Sequence, residues 1–284
     1  MYDCIIIGAG PCGVACAIYL KQAGYNVLVI ENELVGGQPL QTTNISNLVG
    51  FKGTGEQFGE ILSSQLEDNN IDLLYGYANI ENNEVYVNDE KLETKTILIA
   101  TGAKPNCLPI IPNAHYCALC DGILYKEKTV IVVGSGNSAY EETSQLSKIA
   151  KKVYLLQSSQ FPILANKDLI NQVGKLTNVE ILNYNELLSN IEQILTFSTK
   201  EGQTKIRYDG IFVCIGRRPN IQCLKDFKEL KVDSNYNVLK NELPIKNIFA
   251  GGDVLNKPIK QISTAINDGV MISQNIIKYL KGNN

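Results

Sequence analysis

Residues 2–13 read YDCIIIGAGPCG. Asp3 to Ile7 is a short apolar run of strand type, and Gly8-Ala9-Gly10-Pro11-Cys12-Gly13 follows it at once. Val14 to Ala23 then carries a helical pattern, so the G-x-G-x-x-G spacing sits between a strand and a helix, as its chemistry requires. Gly8 suits the tight turn, Gly10 lets backbone approach a pyrophosphate, and Gly13 allows close helix packing, with Pro11 at the start of the helix. Gly24 ends that helix, Asn26 to Ile30 supplies a second strand, and Glu31 closes it. There a carboxylate can accept from a ribose hydroxyl, which makes this a dinucleotide-binding fold.

The arrangement recurs. Thr129 to Val133 is another buried-strand run, Gly134-Ser135-Gly136-Asn137-Ser138-Ala139 another glycine turn, Ser138 to Ala150 a helix and Val153 to Leu156 the next strand. The fold class is therefore α/β, with two Rossmann-like dinucleotide-binding folds of three layers in one chain. The second fold ends differently from the first. Its strand runs into Gln157-Ser158-Ser159-Gln160-Phe161, which offers neither the acid an NAD ribose wants nor the cation an NADP phosphate needs. The next charged residue is Lys167, and Arg217-Arg218 lies in a separate loop. This fold reads either as a ligand site or as a scaffold whose glycines serve packing. Near the C-terminus, Asn247 to Phe249 reads as a strand, Ala250-Gly251-Gly252-Asp253 as a turn and Gln261 to Leu280 as a helix. Gly252-Asp253 can set backbone amides and a carboxylate against a cofactor, or simply close a turn.

With 284 residues the chain has room for two domains, and a net charge of −3 gives no basic surface for nucleic acid. No basic segment precedes the first apolar run and no stretch is apolar for the length of a bilayer, so a cytoplasmic protein without membrane contact is expected. In a reducing compartment most of the eight cysteines should be free and buried. Cys4, Cys12, Cys16, Cys107, Cys214 and Cys223 stand singly. Cys117 and Cys120, in CALCDG at 117–122, are spaced for chemistry. With His115 they could offer three ligands to zinc, but no second pair follows, so no metal is expected. His115, the one histidine, reads as a polar loop residue near Pro112.

These pieces together resemble the low-molecular-weight thioredoxin reductases, flavoprotein disulfide reductases with two dinucleotide folds. The resemblance spans nearly the whole chain. It rests on the N-terminal fingerprint, Gly36-Gly37-Gln38 with Thr42 and Asn47, Ala100-Thr101-Gly102-Ala103, CALCDG, Gly216-Arg217-Arg218-Pro219-Asn220, and Gly252-Asp253 followed by Lys260-Gln261. It implies FAD on a discontinuous domain of residues 1–111 and 243–284, with the second fold, 112–242, inserted and carrying the cysteine pair. Gly37, Gln38, Thr42, Asn47, Thr101, Gly102, Gly252, Asp253, Lys260, Gln261 and Ile262 would then surround the flavin and its ribityl-phosphate chain, and Glu31 would hold the adenosine ribose.

The resemblance also assigns the thiols. Cys117 and Cys120 would form a redox disulfide, Cys120 facing the flavin and Cys117 attacking the disulfide of a thioredoxin, with Asp121 as the acid-base group. Thiols at i and i+3 share one side of a helical turn, and a helix N-terminus there would favour the attacking thiolate. In one respect the chain departs from the family. Gln157-Ser158-Ser159 stands where the family's His-Arg-Arg cluster marks its NADPH site, which is similar to the clostridial ferredoxin-dependent flavin thioredoxin reductases. Ferredoxin is thus the expected donor, with NADPH or a non-catalytic flavin-binding sensor as alternatives. A homodimer is expected by the same resemblance, as is a ferredoxin-docking surface near the flavin that includes Lys257 and Lys260.

Overall fold

Along β1 (Tyr2–Ile7) successive residues go to opposite faces of a sheet. Cys4 and Ile6 enter one apolar cluster, Ile5 and Ile7 another. A strand buried on both faces is the mark of a parallel sheet covered on each side. The computed structural model describes residues 1–42, 45–224, 230–241 and 243–282. After β1 come α1 (Pro11–Gln22), β2 (Val27–Glu31), α2 (Gly55–Asp68), β3 (Asp72–Tyr75) and β4 (Thr94–Ile99). The middle of the chain supplies α3 (Ala118–Asp121), β5 (Thr129–Val133), α4 (Asn137–Leu146), β6 (Lys152–Ser158), α5 (Lys167–Val173), β7 (Val179–Tyr184) and β8 (Gly210–Val213). It closes with β9 (Asn237–Lys240), β10 (Leu243–Ala250) and α6 (Ile262–Leu280).

The chain divides into two compact units, residues 1–104 with 218–284, and residues 105–217. The boundaries expected from sequence, 111/112 and 242/243, fall later than these, and Glu242 lies outside the described residues. The reason is the stretch after 217. Its β9 pairs antiparallel with β10, and Cys223, Leu224, Leu230 and Val238 join the core beneath β1.

In the first unit the sheet runs β9-β10-β4-β1-β2-β3, parallel except at β9. Helices α1, α2 and α6 cover one face, through Val14, Leu20, Leu62, Leu66, Ile272 and Ile276. A three-stranded meander of Ala78–Glu81, Glu84–Val87 and Glu90–Leu92 covers the other. The second unit repeats the plan with the order β7-β6-β5-β8, all parallel. Val130 and Val132 of β5 pack with Ala139, Tyr140 and Leu146 of α4, while Ile131 and Val133 pack with Leu195 and Phe197 of a second meander. Both units are thus three-layer Rossmann-like folds. In each, the glycine turn leaves the C-terminal end of a strand whose neighbours lie to either side, the place where such sheets bind ligands.

Two helix limits differ from the sequence reading by more than one residue. Helix α1 begins at Pro11 rather than Val14, because proline lacks only an N–H that the first turn leaves unused anyway. Helix α4 stops at Leu146, four residues before Ala150, and the chain turns at Ser147 to Ile149 to enter β6.

Candidate active site

In the first unit the glycine turn is tightly specified by its backbone. Gly8 has φ +110°, and a Cβ there would lie 2.5 Å from the Ala100 carbonyl oxygen. A Cβ on Gly13 would lie 1.9 Å from the Gly8 carbonyl oxygen, so no side chain fits between turn and helix. Gly10 is different: a Cβ there meets nothing within 4 Å. It caps α1 with no side-chain hydrogen bond, and no acid stands in the first turn. The helix therefore offers its N-terminal amides and positive dipole end to open space, which suits a pyrophosphate.

The remaining predicted residues of this unit converge on that turn. A Cβ on Gly37 would sit 3.2 Å from the Gly10 Cα, and one on Gly252 would sit 3.0 Å from the Cys12 Cβ. Gln38 Nε2 donates to Asp253 Oδ2 at 3.4 Å, and a Cβ on Gly102 would lie 3.6 Å from the same nitrogen. Lys260 Nζ donates to the Asp253 carbonyl at 2.7 Å, and Asn47 Nδ2 to Gln261 Oε1 at 3.1 Å. Gln261 caps α6, whose first residue is Ile262. Thr101 also lies at the turn, its Cα 3.2 Å from a Cβ on Gly8, and its hydroxyl donates to the Asn220 carbonyl at 2.5 Å; the Thr42 carbonyl accepts from Gly55 N–H at 2.8 Å.

Glu31 is buried and hydrogen-bonded. Its Oε2 accepts from Ala9 N–H at 2.7 Å, and its Oε1 from Asn32 and Glu33 N–H at 2.8 and 3.0 Å. A carboxylate has about four lone-pair positions, so one acceptor remains for a ribose hydroxyl. The open Gly10, the uncapped α1 and this carboxylate fit an adenine dinucleotide such as FAD.

One residue of this unit escaped the sequence reading, and one expected in another role proves to be its partner. Asp268 of α6 is 6% exposed; its Oδ2 accepts from Gly252 N–H at 2.9 Å and from Lys257 Nζ, its Oδ1 from the Tyr236 hydroxyl at 3.2 Å. It anchors the turn that presents Asp253. Lys257, expected on an electron-donor docking surface, instead turns inward, because the buried Asp268 carboxylate requires a partnered charge. A lone acid in an apolar helical stretch, followed by Gly269, was the available signal.

In the second unit Cys117 and Cys120 form a disulfide, with their Cα atoms 5.3 Å apart. Cys117 caps α3, and its Sγ accepts from Cys120 N–H at 3.2 Å. The helix expected to favour a thiolate is one turn long and passes into a 3-10 turn at Gly122, and its Ala118 N–H donates to the Glu142 carboxylate of α4. The local amide at Cys120, rather than a long dipole, is what meets the Cys117 sulfur. Burial pushes the Glu142 carboxyl up to about 7, against the pull of that amide and of Arg217.

Asp121 is buried, and His115 Nδ1 lies 2.9 Å from its Oδ2. The other ring nitrogen, Nε2, lies 2.6 Å from the Tyr125 hydroxyl. Sequence reasoning read His115 as a loop residue and did not single out Tyr125. The loop carrying His115 is in fact bridged to Phe212 of β8, which brings the ring against the cysteine turn. Four of the single cysteines, Cys4, Cys12, Cys16 and Cys223, are buried, and burial holds their thiols above the ordinary range, whereas Cys107 is exposed and Cys214 half-buried.

The second glycine turn matches the first in register. Ile7 pairs with Ile30 and Val133 with Leu156, and the next residues are Glu31 and Gln157. An amide thus occupies the position that Glu31 holds in the first unit. Gln157 is 2% exposed, and its Nε2 donates to the Tyr140 hydroxyl at 2.8 Å. The chain beyond β6 folds back on the turn: the Ser135 carbonyl accepts from Leu164 and Ala165 N–H at 2.9 and 3.2 Å, and Asn137 Oδ1 from Asn166 N–H at 2.9 Å.

Among the described residues no helix is long and apolar enough to cross a membrane. The sequence profile described as pyridine nucleotide-disulphide oxidoreductase matches residues 2–269. The chain is 36% identical to the 34.2 kDa protein in the rubredoxin operon of Clostridium pasteurianum, over 99% of this chain and 97% of that one. It is 34% identical to the thioredoxin reductase of Ureaplasma parvum serovar 3, covering 100% and 98%. Among solved structures it is similar to the thioredoxin reductase of Streptococcus pyogenes, with a TM-score of 0.85, 31% identity and 99% of each chain covered.

Proposed function

The chain belongs to the pyridine nucleotide-disulphide oxidoreductase family, and from that premise we propose that it is an FAD-dependent reductase of thioredoxin. Its cofactor is FAD. The observation that carries the reading is the Cys117–Cys120 disulfide, followed directly by a buried carboxylate, in a chain whose other unit fits a flavin dinucleotide. Gly8, Gly10, Gly13 and the N-terminus of α1 would hold the pyrophosphate and Glu31 the ribose. Gln38, Asn47, Asp253, Lys260 and Gln261 would line the flavin side. When bound, the flavin supplies the electron pair that opens the disulfide. Cys117 then attacks a partner's disulfide, Cys120 resolves the mixed disulfide, and Asp121 manages the proton.

For the electron donor, the reading favoured is reduced ferredoxin. What supports it is Gln157, an amide tied to Tyr140 at the register position of Glu31, with no cation in Gln157 to Phe161 and with Leu164 and Ala165 bonded to the turn. NADPH is the second reading, favoured by the retained Gly134-Ser135-Gly136 turn and the uncapped start of α4. A homodimer in the cytoplasm completes the proposal. Anaerobic stopped-flow mixing of the flavin-loaded protein tests the donor. Reduced ferredoxin should bleach the flavin and support thioredoxin reduction, while NADPH should do neither. Rapid bleaching by NADPH, with none by ferredoxin, overturns the ferredoxin reading.

A further inference from the structure

Asp121 Oδ1 is buried and, among the described residues, has no hydrogen-bond partner, while Oδ2 is held by His115. A buried acceptor left open beside a disulfide has an explanation if a thiol fills it once the disulfide opens. We propose that His115 and Tyr125 are positioning residues that hold the Asp121 carboxylate aimed at the dithiol; this rests on the proposed reductase reading.

The donor pattern follows from valence. An ionised carboxylate only accepts, so Nδ1 carries the proton and donates to Oδ2. Neutral imidazole then accepts at Nε2, and the Tyr125 hydroxyl donates to it. The three groups form an ordered chain, hydroxyl to imidazole to carboxylate, in which the third member fixes the tautomer of the second. Packing fixes the ring as well: its centroid lies 5.1 Å from that of Phe212 and 5.2 Å from that of Tyr125. Burial and the Asp121 charge push the Tyr125 hydroxyl up, which keeps its proton in place as a donor.

The step served is balanced. Cys117, having lost its proton to solvent, attacks one sulfur of the partner's disulfide; that bond breaks, and the leaving sulfur takes a proton from solvent. Cys120 S–H gives its proton to Asp121 Oδ1, and its sulfur attacks Cys117, closing the Cys117–Cys120 bond and releasing the second partner thiolate, which takes the proton from Asp121. Two electrons pass from the dithiol to the partner, and two protons go with them. Without His115, Asp121 loses the hydrogen bond that fixes its orientation, and Oδ1 no longer stays aimed at the Cys120 thiol.

The other titratable groups around this chain are Glu142 of α4, Tyr208 and Asp209 before β8, and Lys128, whose Nζ lies 5.6 Å from the centre of the Tyr125 ring. They are unchanged in the variants that test the idea. The chain has one histidine, so the 15N spectrum of labelled protein reports His115 alone. The expected spectrum is that of an imidazole protonated at Nδ1.

His115→Phe keeps the ring packing and removes the hydrogen bonds. Its rate of thioredoxin-disulfide reduction should fall about tenfold at neutral pH. The rate at which iodoacetamide alkylates the chemically reduced Cys117–Cys120 pair should fall with it. His115→Asn, which keeps a donor near the Nδ1 position, should recover most of the loss, and Tyr125→Phe covers the case in which His115→Phe fails to fold. An Nε2–H imidazole in the unaltered protein overturns the proposal, as do reduction and alkylation rates of His115→Phe or Tyr125→Phe that match the original. If the unaltered protein reduces no thioredoxin, the reductase reading fails, while the tautomer and alkylation arms still judge His115 and Tyr125.

Discussion

At the scale of single residues the two sulfurs and one carboxylate of the second unit make separate predictions. Cys117→Ser and Cys120→Ser should each keep the flavin, since neither lies in the unit that fits it, and should each abolish disulfide reduction. Flavin content by absorbance and thioredoxin turnover measure both; retained turnover in either variant would falsify the dithiol mechanism and leave the sensor alternative standing. Glu142 makes a pH prediction. Its carboxyl sits at about 7 through burial, above its ordinary 4.5, so between these values the folded chain holds a proton that the unfolded chain has lost. Stability from this group is complete below about 4.5 and is lost as pH rises through about 7, a change of roughly 3 kcal/mol. Glu142→Gln keeps an acceptor for Ala118 N–H and should remove that slope from urea unfolding measured across the window. The same slope in the variant counts against the assignment. The glycine turn, Glu31 and the cysteine pair were legible in sequence because each is a local pattern. Asp268, Glu142 and the His115–Tyr125 pairing were not, because each depends on a partner distant in the chain or on an unsignalled loop.

At the scale of elements, the contact between α1 and α6 brings the last segment of the chain to the first turn. Gly269 lets the helices touch: a Cβ there would lie 2.2 Å from the Cys12 carbonyl oxygen and 3.0 Å from the Ala15 Cβ. Its neighbour Asp268 then reaches Gly252 and fixes the turn that carries Asp253. Gly269→Ala should push the helices apart, lower stability by about 1–3 kcal/mol, and reduce the flavin retained through purification. Full flavin content with an unchanged melting temperature would show that the helices tolerate the methyl. The sequence pattern located both helices to within a few residues, since apolar periodicity is a property of each helix alone. It did not show that they pack together.

At the scale of the whole molecule, each unit carries its own cores, so each has the means to melt as a cooperative unit. Calorimetry of the flavin-free protein should show FAD raising the transition of the first unit, by about 2.7 kcal/mol of stabilisation at a hundredfold excess over its dissociation constant. NADPH should raise neither transition. A rise on adding NADPH would restore a nucleotide site to the second fold. By itself the sequence determined that there are two glycine-turn folds and one spaced thiol pair, because strand, turn and helix are short-range and each leaves its own periodicity. Only the tertiary structure decided that Gln157 stands in register with Glu31, that residues 218–241 belong with the first unit, and that a lone histidine faces Asp121. These depend on strand pairing and packing between segments far apart along the chain, which no local pattern encodes.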